Sequence, residues 1–159
     1  MNRRWVRSLL WAAVIGLMAV IFLFSSQAGP ASMETSGFFA RPLTDLIASM
    51  MGGLEARAYD DLLVLMQMVV RKTAHFSEYA LLGLLWRLLM ASYQWKHAGW
   101  KAWAVSTAYA ATDELHQLLG GERTGMWQDV VLDSLGVAAG VLISYLLLRS
   151  FRRRAENKS

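Results

Sequence analysis

The chain has 159 residues, of which 55% are hydrophobic and 18% are charged, and its mean hydropathy is +0.31. This composition is too apolar for an ordinary soluble domain, and the length is short for several domains. The chain contains no cysteine, which excludes disulfides and cysteine-ligated metal sites, and its formal net charge is +4.

Four apolar stretches have about the 20 residues that a membrane-spanning helix requires. They lie at about residues 5–24, 72–89, 100–119 and 130–148. The first follows the basic start MNRRWVR, but its apolar run is longer than that of a signal peptide, so we expect a retained anchor. The sequence therefore predicts an all-α polytopic membrane protein, a four-transmembrane-helix bundle forming a single domain.

The segment 25–71 follows the first span and is predicted to face outward. Within it, SGFFARPLTDLIASMM has apolar side chains near helical spacing, which favours a helix lying in the membrane interface. Gly52 and Gly53 form a break, after which YDDLLVLMQMVV continues into the second span without a helix breaker. Two depths stay open for that span: the helix projects beyond the membrane, or the span shifts to about 67–87.

The distribution of lysine and arginine predicts the orientation. If the four spans alternate in direction, eleven of the sixteen basic residues lie on one side of the membrane, which the positive-inside rule assigns to the cytoplasm. Both termini are then cytoplasmic in a multi-pass protein of the cell membrane. The basic tail 149–159 is better explained by anionic lipid than by nucleic acid, and no nucleic-acid partner is predicted. The eleven residues are Arg3, Arg4, Arg7, Arg87, Lys96, Lys101, Arg149, Arg152, Arg153, Arg154 and Lys158.

Polar side chains that are distant in the sequence converge at the outer end of this predicted bundle. At 100° per residue, each of the last three spans has a polar stripe that can face a common interior. Glu78 and Glu114 fall at the edges of their stripes. The stripes contain Lys72, His75, Tyr79 and Gly83 in the second span, Ser106, Tyr109, Asp113, His116 and Gln117 in the third, and Asp129, Asp133, Gly136 and Gly140 in the fourth. Arg123 lies in the outer loop beside them.

These residues resemble the signature motifs of VanZ-like membrane proteins. The stretches RKTAHFSEYALLG and TDELHQLLGGERTGMWQDVVLDSLG carry the resemblance, together with FSSQ after the first span, and it covers nearly all of residues 5–148. Two positions depart from the family pattern: Asp133 stands where we associate the family with Asn, and Met126 where a small polar residue is common. The resemblance implies a link to resistance against teicoplanin, a glycopeptide antibiotic with a lipid tail, and it implies no particular reaction.

The polar cluster has three functional interpretations. As an active site, His75 would exchange protons with Asp113 or Glu114, the three predicted catalytic residues. As a binding site alone, the same pocket would hold a membrane lipid, a lipid-linked envelope component or the antibiotic. A divalent-metal site formed by Asp113, His116 and Asp133 ranks last, and no metal or cofactor is predicted. The predicted ligand-binding residues are Lys72, Tyr79, Gln117, Arg123 and Asp129, with the two cations on an anionic headgroup.

A purely structural interpretation stands beside these. Asp113 with Lys72, or Asp129 with Arg123, would form ion pairs that lock the helices together without any ligand. Ionisable groups cost about 2.5–3.5 kcal/mol each at the centre of a bilayer, which favours a functional interpretation of the cluster as a whole. Whether the protein is an enzyme, and what its oligomeric state is, stay open.

Overall fold

The structure, a computed structural model, describes residues 3–26, 29–119 and 127–157, with the side chains of 29–32 outside that description. Five α-helices and no strand occur in this part of the chain. The helices are α1 (Arg3–Ser25), α2 (Gly29–Met50), α3 (Ala56–Ser92), α4 (Ala98–Leu119) and α5 (Trp127–Glu156). The all-α prediction is confirmed, whereas the number of membrane crossings stays a prediction.

Helices α3 and α5 run in the same direction and form the most extensive helix pair of the bundle. Lys72 pairs with Asp129 near the start of α5, and Arg87 donates to the Ser144 hydroxyl, at 3.4 Å, further along. The backbones approach closely because small residues of α5 lie against α3. A Cβ at Gly136, for example, would stand 2.5 Å from the carbonyl oxygen of Phe76.

Helices α1 and α4 run opposite to α3 and α5. The Arg7 guanidinium at the start of α1 donates to the Ser92 carbonyl at the end of α3, at 2.8 Å. Gln117 at the end of α4 donates to the Ser25 hydroxyl at the end of α1, at 2.7 Å. In between, the Tyr109 hydroxyl donates to the Met18 carbonyl of α1, at 2.7 Å. The alternating directions assumed for the four predicted spans are therefore those of the bundle.

Helix α2 and the first half of α3 form an antiparallel hairpin beyond the bundle. Positive φ angles of 82° at Gly52 and 99° at Gly53, which glycine adopts without steric cost, turn the chain between them. The Tyr59 hydroxyl donates to Asp45 at 2.6 Å. The predicted helix within 25–71 and its uninterrupted continuation are both present, because α3 is one helix of 37 residues. Since α2 packs along α3, its angle to a membrane follows that of α3.

Two helices, α1 and α5, are long and apolar enough to cross a membrane by length and composition within the described residues. Helix α1 buries few side chains and exposes large apolar ones, among them Trp5 (69%), Leu9 (62%) and Leu23 (67%). Exposed apolar surface on this scale indicates contact with lipid or another protein rather than with water. Charged side chains lower the hydropathy of α3 and α4, and several of these belong to the cluster described next.

Candidate functional site

Carboxyl side chains from three helices meet where α4 ends and α5 begins. Asp113 and Glu114 of α4 and Asp133 of α5 are buried, with exposed fractions of 3%, 6% and 1%. Glu78 of α3 is half-buried and lies within electrostatic range of both Asp113 and Asp133. Buried carboxyl groups are rare in proteins unless they are paired or functional, so their concentration here defines the candidate site.

Asp133 is the most buried acid of this cluster. Neither of its carboxylate oxygens has a hydrogen-bond partner among the described residues. Among the described residues, the basic group nearest to it is His75, whose Nδ1 lies 4.0 Å from Oδ2, beyond hydrogen-bonding distance. An unsatisfied buried carboxylate is costly, and such a group in a native protein calls for a ligand, a proton or an ordered water.

Lys72 and Asp129 form an ion pair at the rim of the cluster. Their side chains are 39% and 29% exposed, so the pair lies between the buried acids and the surroundings of the bundle. The ion pair considered for Lys72 with Asp113 is therefore formed with Asp129 instead. Asp113 has no basic partner within 4.0 Å in the part of the chain that the structure describes.

Gln117 joins the acids to the end of α1. Its amide nitrogen donates to Ser25 at 2.7 Å and to Oδ2 of Asp113 at 3.4 Å, and all three side chains are buried. The second oxygen of Asp113, Oδ1, has no hydrogen-bond partner among the described residues. Gln117 thus fixes one oxygen of Asp113 and leaves the other directed into the cluster.

Tyr79 forms the buried wall of the site on α3. Its side chain is fully buried, and its ring stacks with that of His75 at 6.5 Å between centroids. The ring of Tyr109 lies 6.3 Å away on the other side. Tyr79 lies within electrostatic range of Asp113 and Asp133. Its position one helical turn from His75 lets it orient the imidazole by ring contact.

The structure brings most of the predicted site residues together. Arg123 lies outside the described residues, so the ion pair considered for Arg123 with Asp129 stays a prediction. The others occupy one end of the bundle and are Lys72, His75, Tyr79, Asp113, Glu114, Gln117 and Asp129.

Three members of the site were not among the predicted site residues: Asp133, Glu78 and Ser25. Asp133 shares a helical stripe with Asp129 and enters the metal interpretation, but its departure from the family pattern keeps it out of the predicted catalytic and ligand-binding residues. Glu78 is about one turn after His75 but lies at the edge of the stripe that His75 shares with Lys72. Ser25 belongs to FSSQ, and no helical pattern connects it to Gln117.

The arrangement gives the metal interpretation little support. His116 contacts α1, with its Nε2 3.4 Å from the Ser26 hydroxyl and its ring 4.9 Å from that of Phe22. It is exposed, whereas Asp113 and Asp133 are buried. Among the described residues, no group of three or more His, Cys, Asp or Glu side chains has the arrangement of a metal site.

Comparison with protein families bears directly on these motifs. The family model described as VanZ/LLP1 matches residues 10–149, which is most of the chain. The chain belongs to the VanZ/LLP1 family. Searches of curated proteins and of solved structures gave no significant match. Membership of VanZ/LLP1, together with the two apolar helices, indicates a membrane protein of the cell envelope and of the teicoplanin-resistance type at the level of the family.

Proposed function

We propose that this VanZ/LLP1 protein is a four-span protein of the cell membrane with both termini in the cytoplasm. The spans are α1, the second half of α3, α4 and the apolar part of α5, whose alternating directions support the arrangement. Eleven of the sixteen lysines and arginines then lie on the cytoplasmic side. The polar cluster lies at the opposite, outward end, and the α2–α3 hairpin extends from that end.

The function that the geometry supports best is binding of a lipid or lipid-linked envelope component at this cluster, with His75 and the buried acids placed to act on it. The observation that carries the proposal is Asp133, which is 1% exposed and has two oxygens without hydrogen-bond partners among the described residues. Asp113 has a third such oxygen. Oxygens of this kind accept hydrogen bonds, so they suit the hydroxyl or amino groups of a headgroup or sugar.

The roles of the remaining residues follow from their positions. Lys72 lies at the half-exposed rim of the cluster and pairs with Asp129. When the ligand binds, Lys72 pairs instead with an anionic group of the ligand, such as a phosphate. His75, between Tyr79 and Asp133, is the group best suited to move a proton, with Glu114 or Asp113 as its partner. Arg123 is the second proposed anion-binding group. Each of these roles is part of the proposal.

A binding protein without catalysis is the second candidate. The same cluster would hold a lipid, a cell-wall precursor or the lipid tail-bearing antibiotic and reduce the access of the antibiotic to its target. It is favoured by the ion pair of Lys72 with Asp129, because a ligand that replaces Asp129 needs no proton transfer. Such a protein tolerates His75→Gln, whereas an enzyme that relies on this imidazole does not.

The decisive experiment replaces the buried carboxylates by amides. Asp113→Asn and Glu114→Gln keep the side-chain shape and remove the charge. We expect both variants to reach the membrane with a thermal stability equal to that of the wild type, and to lose the change in teicoplanin susceptibility that the wild-type protein gives to cells. Co-purified lipid, measured by mass spectrometry, should fall in parallel.

Asp60→Asn and Asp61→Asn are the matched controls, because both carboxylates are exposed on the hairpin, away from the cluster. They should change neither readout. If Asp113→Asn instead lowers the thermal stability and weakens the effect on teicoplanin susceptibility only in proportion to the protein level, the cluster is a structural lock. An unchanged effect on susceptibility and an unchanged lipid content in Asp113→Asn would contradict the proposed function.

A further inference from the structure

A cleft lies at the end of the bundle opposite the acidic cluster, between the end of α3, the start of α4 and the C-terminal half of α5. Its volume is about 1120 Å³. Arg149 in its wall is sixteen residues after Asp133 on the same helix, which is about 24 Å at 1.5 Å per residue. The cleft is therefore separate from the acidic cluster, and the proposed function makes no use of it.

The polar part of this cleft is cationic. Three arginines line it, Arg87 from α3 and Arg149 and Arg152 from α5, and no carboxylate is among its lining residues. Arg87 is held in place, because its guanidinium lies 5.3 Å from the centre of the Tyr145 ring and donates to Ser144 at 3.4 Å. A guanidinium held in this way, in a cleft whose lining contains no carboxylate, favours a phosphate group, to which arginine binds in a fork geometry.

The rest of the cleft is apolar and aromatic. Trp100 and Trp103 of α4 stack at 4.8 Å between ring centroids on one side. On the other side, Ala138 and Leu142 extend the cleft along α5 away from the arginines. Tryptophan at the end of an apolar helix is typical of the headgroup level of a membrane. The cleft thus has a cationic end and an apolar length, which suits an amphiphile rather than a small soluble anion.

We propose that this cleft is a binding site for an anionic phospholipid of the membrane leaflet at the arginine-rich end of the bundle. The phosphate of the headgroup lies among Arg87, Arg149 and Arg152, and an acyl chain lies along α5 beside Ala138 and Leu142. Charge complementarity selects the headgroup, and the apolar wall selects a lipid over a free phosphate compound. Basic pockets between helices at this level of a membrane are a known means of holding such headgroups.

The test compares two variants that remove the same charge from the same tail. Arg149→Gln/Arg152→Gln removes two arginines of the cleft, and Arg153→Gln/Arg154→Gln removes two exposed arginines that do not line it. Each protein is reconstituted in vesicles of phosphatidylcholine and phosphatidylglycerol, extracted in detergent, and examined by native mass spectrometry for retained phosphatidylglycerol. We expect the cleft pair to lower retention by about thirtyfold and the control pair to leave it near the wild-type value, because two basic residues near an anionic headgroup together contribute on the order of 2 kcal/mol.

A third variant, Ala138→Phe, fills the apolar part of the cleft and leaves every charge in place. It should lower retention of phosphatidylglycerol as well, whereas an electrostatic attraction to the tail as a whole would be unaffected. Equal loss in both arginine pairs, unchanged retention in Ala138→Phe, or equal retention of phosphatidylcholine in the wild type would each overturn the site.

Soluble glycerol phosphate separates a lipid from a free phosphate compound. Added in excess to the wild-type protein, it should leave the retained phosphatidylglycerol in place, because it lacks the acyl chain that the apolar wall contacts. Full displacement would show that the cleft binds a soluble phosphate compound and would overturn the proposal. An unchanged effect of Asp113→Asn on teicoplanin susceptibility, with phosphatidylglycerol still retained in the cleft, would contradict the proposed function alone, so the two proposals fail separately.

Discussion

Lys72 and Asp129 illustrate how one residue pair can serve both stability and ligand binding. The pair is half-exposed and joins α3 to the first turn of α5. Partly exposed ion pairs contribute about 1 kcal/mol or less to stability, so a structural role for the pair is modest. Its position beside the unsatisfied acids suggests that the positive charge at residue 72 has a further use.

A charge exchange separates these two roles. Lys72→Met should lower the free energy of unfolding by about 1 kcal/mol or less and abolish the effect on teicoplanin susceptibility. The double variant Lys72→Asp/Asp129→Lys should restore the stability, because the ion pair is re-formed with its charges exchanged. It should not restore the effect on teicoplanin susceptibility, because α3 then has no lysine at position 72 to bind the anionic group of the ligand. Thermal unfolding in detergent and antibiotic susceptibility are the measurements. Recovery of both by the exchanged pair would show that the ion pair is only structural.

At the scale of residues, the sequence predicted most of the side chains that lie together in the cluster and missed some of their pairings. Lys72, His75 and Asp113 could be assigned to the site because helical spacing and alternating spans bring their stripes together. The partner of Lys72 could not be predicted, since the choice between Asp113 and Asp129 depends on the rotation of α4 and α5 about their axes. Asp133 is not among the predicted catalytic or ligand-binding residues although it lies on the same stripe as Asp129, because helical spacing does not show how deeply a side chain is buried.

The helices α3 and α5 depend on small residues at their contact. A Cβ at Gly140 would overlap the carbonyl oxygen of Ala80, whereas a Cβ at Gly16 of α1 has no other atom within 4 Å. Backbone atoms cannot move aside as a flexible side chain can, so the closest approach of the two helices is set by Gly140. This contact also fixes the distance between Lys72 and Asp129 at one end and between Arg87 and Ser144 at the other.

Gly140→Ala should therefore destabilise the bundle, and Gly16→Ala should not. Overpacking of this kind costs about 1–3 kcal/mol, more than alanine gains over glycine within a helix. We expect a lower thermal transition for Gly140→Ala in detergent, and an unchanged or slightly higher one for Gly16→Ala. Equal transitions in the two variants would mean that α3 and α5 are not in such close contact.

The sequence predicted where the helices lie along the chain better than it predicted how deeply each helix lies in the membrane. The helix within 25–71, the break at Gly52 and Gly53 and the long continuation into the second span all follow from local patterns of apolar and breaker residues. The position of α3 along the membrane normal does not follow from them. A helix of 37 residues is about 55 Å long, well beyond the roughly 30 Å of the hydrocarbon core, so many depths satisfy its length.

For the whole molecule, the absence of native cysteine makes topology directly measurable, because a single introduced cysteine is the one thiol of the chain. Asp60 on the hairpin and Arg154 on the tail are exposed and lie at opposite ends of the molecule. With both termini cytoplasmic, a membrane-impermeant maleimide should label Asp60→Cys in intact cells and Arg154→Cys only after lysis. Labelling of both positions in intact cells would contradict the proposed four spans.

The same labelling determines the depth of α3. If the span begins near Lys72, Val69, which is 46% exposed, lies about 4.5 Å outside it, and Val69→Cys should be labelled from outside. If the span begins near residue 67, Val69 faces lipid and stays unlabelled. We expect labelling, because the deeper placement would put both Lys72 and His75 within the outer leaflet, where charged groups are costly. Ser77→Cys, exposed on α3 within the predicted span, is the control and should resist the reagent. If Val69→Cys and Ser77→Cys are equally protected while Asp60→Cys is labelled, the cluster lies within the bilayer and its ligand must reach it through the lipid.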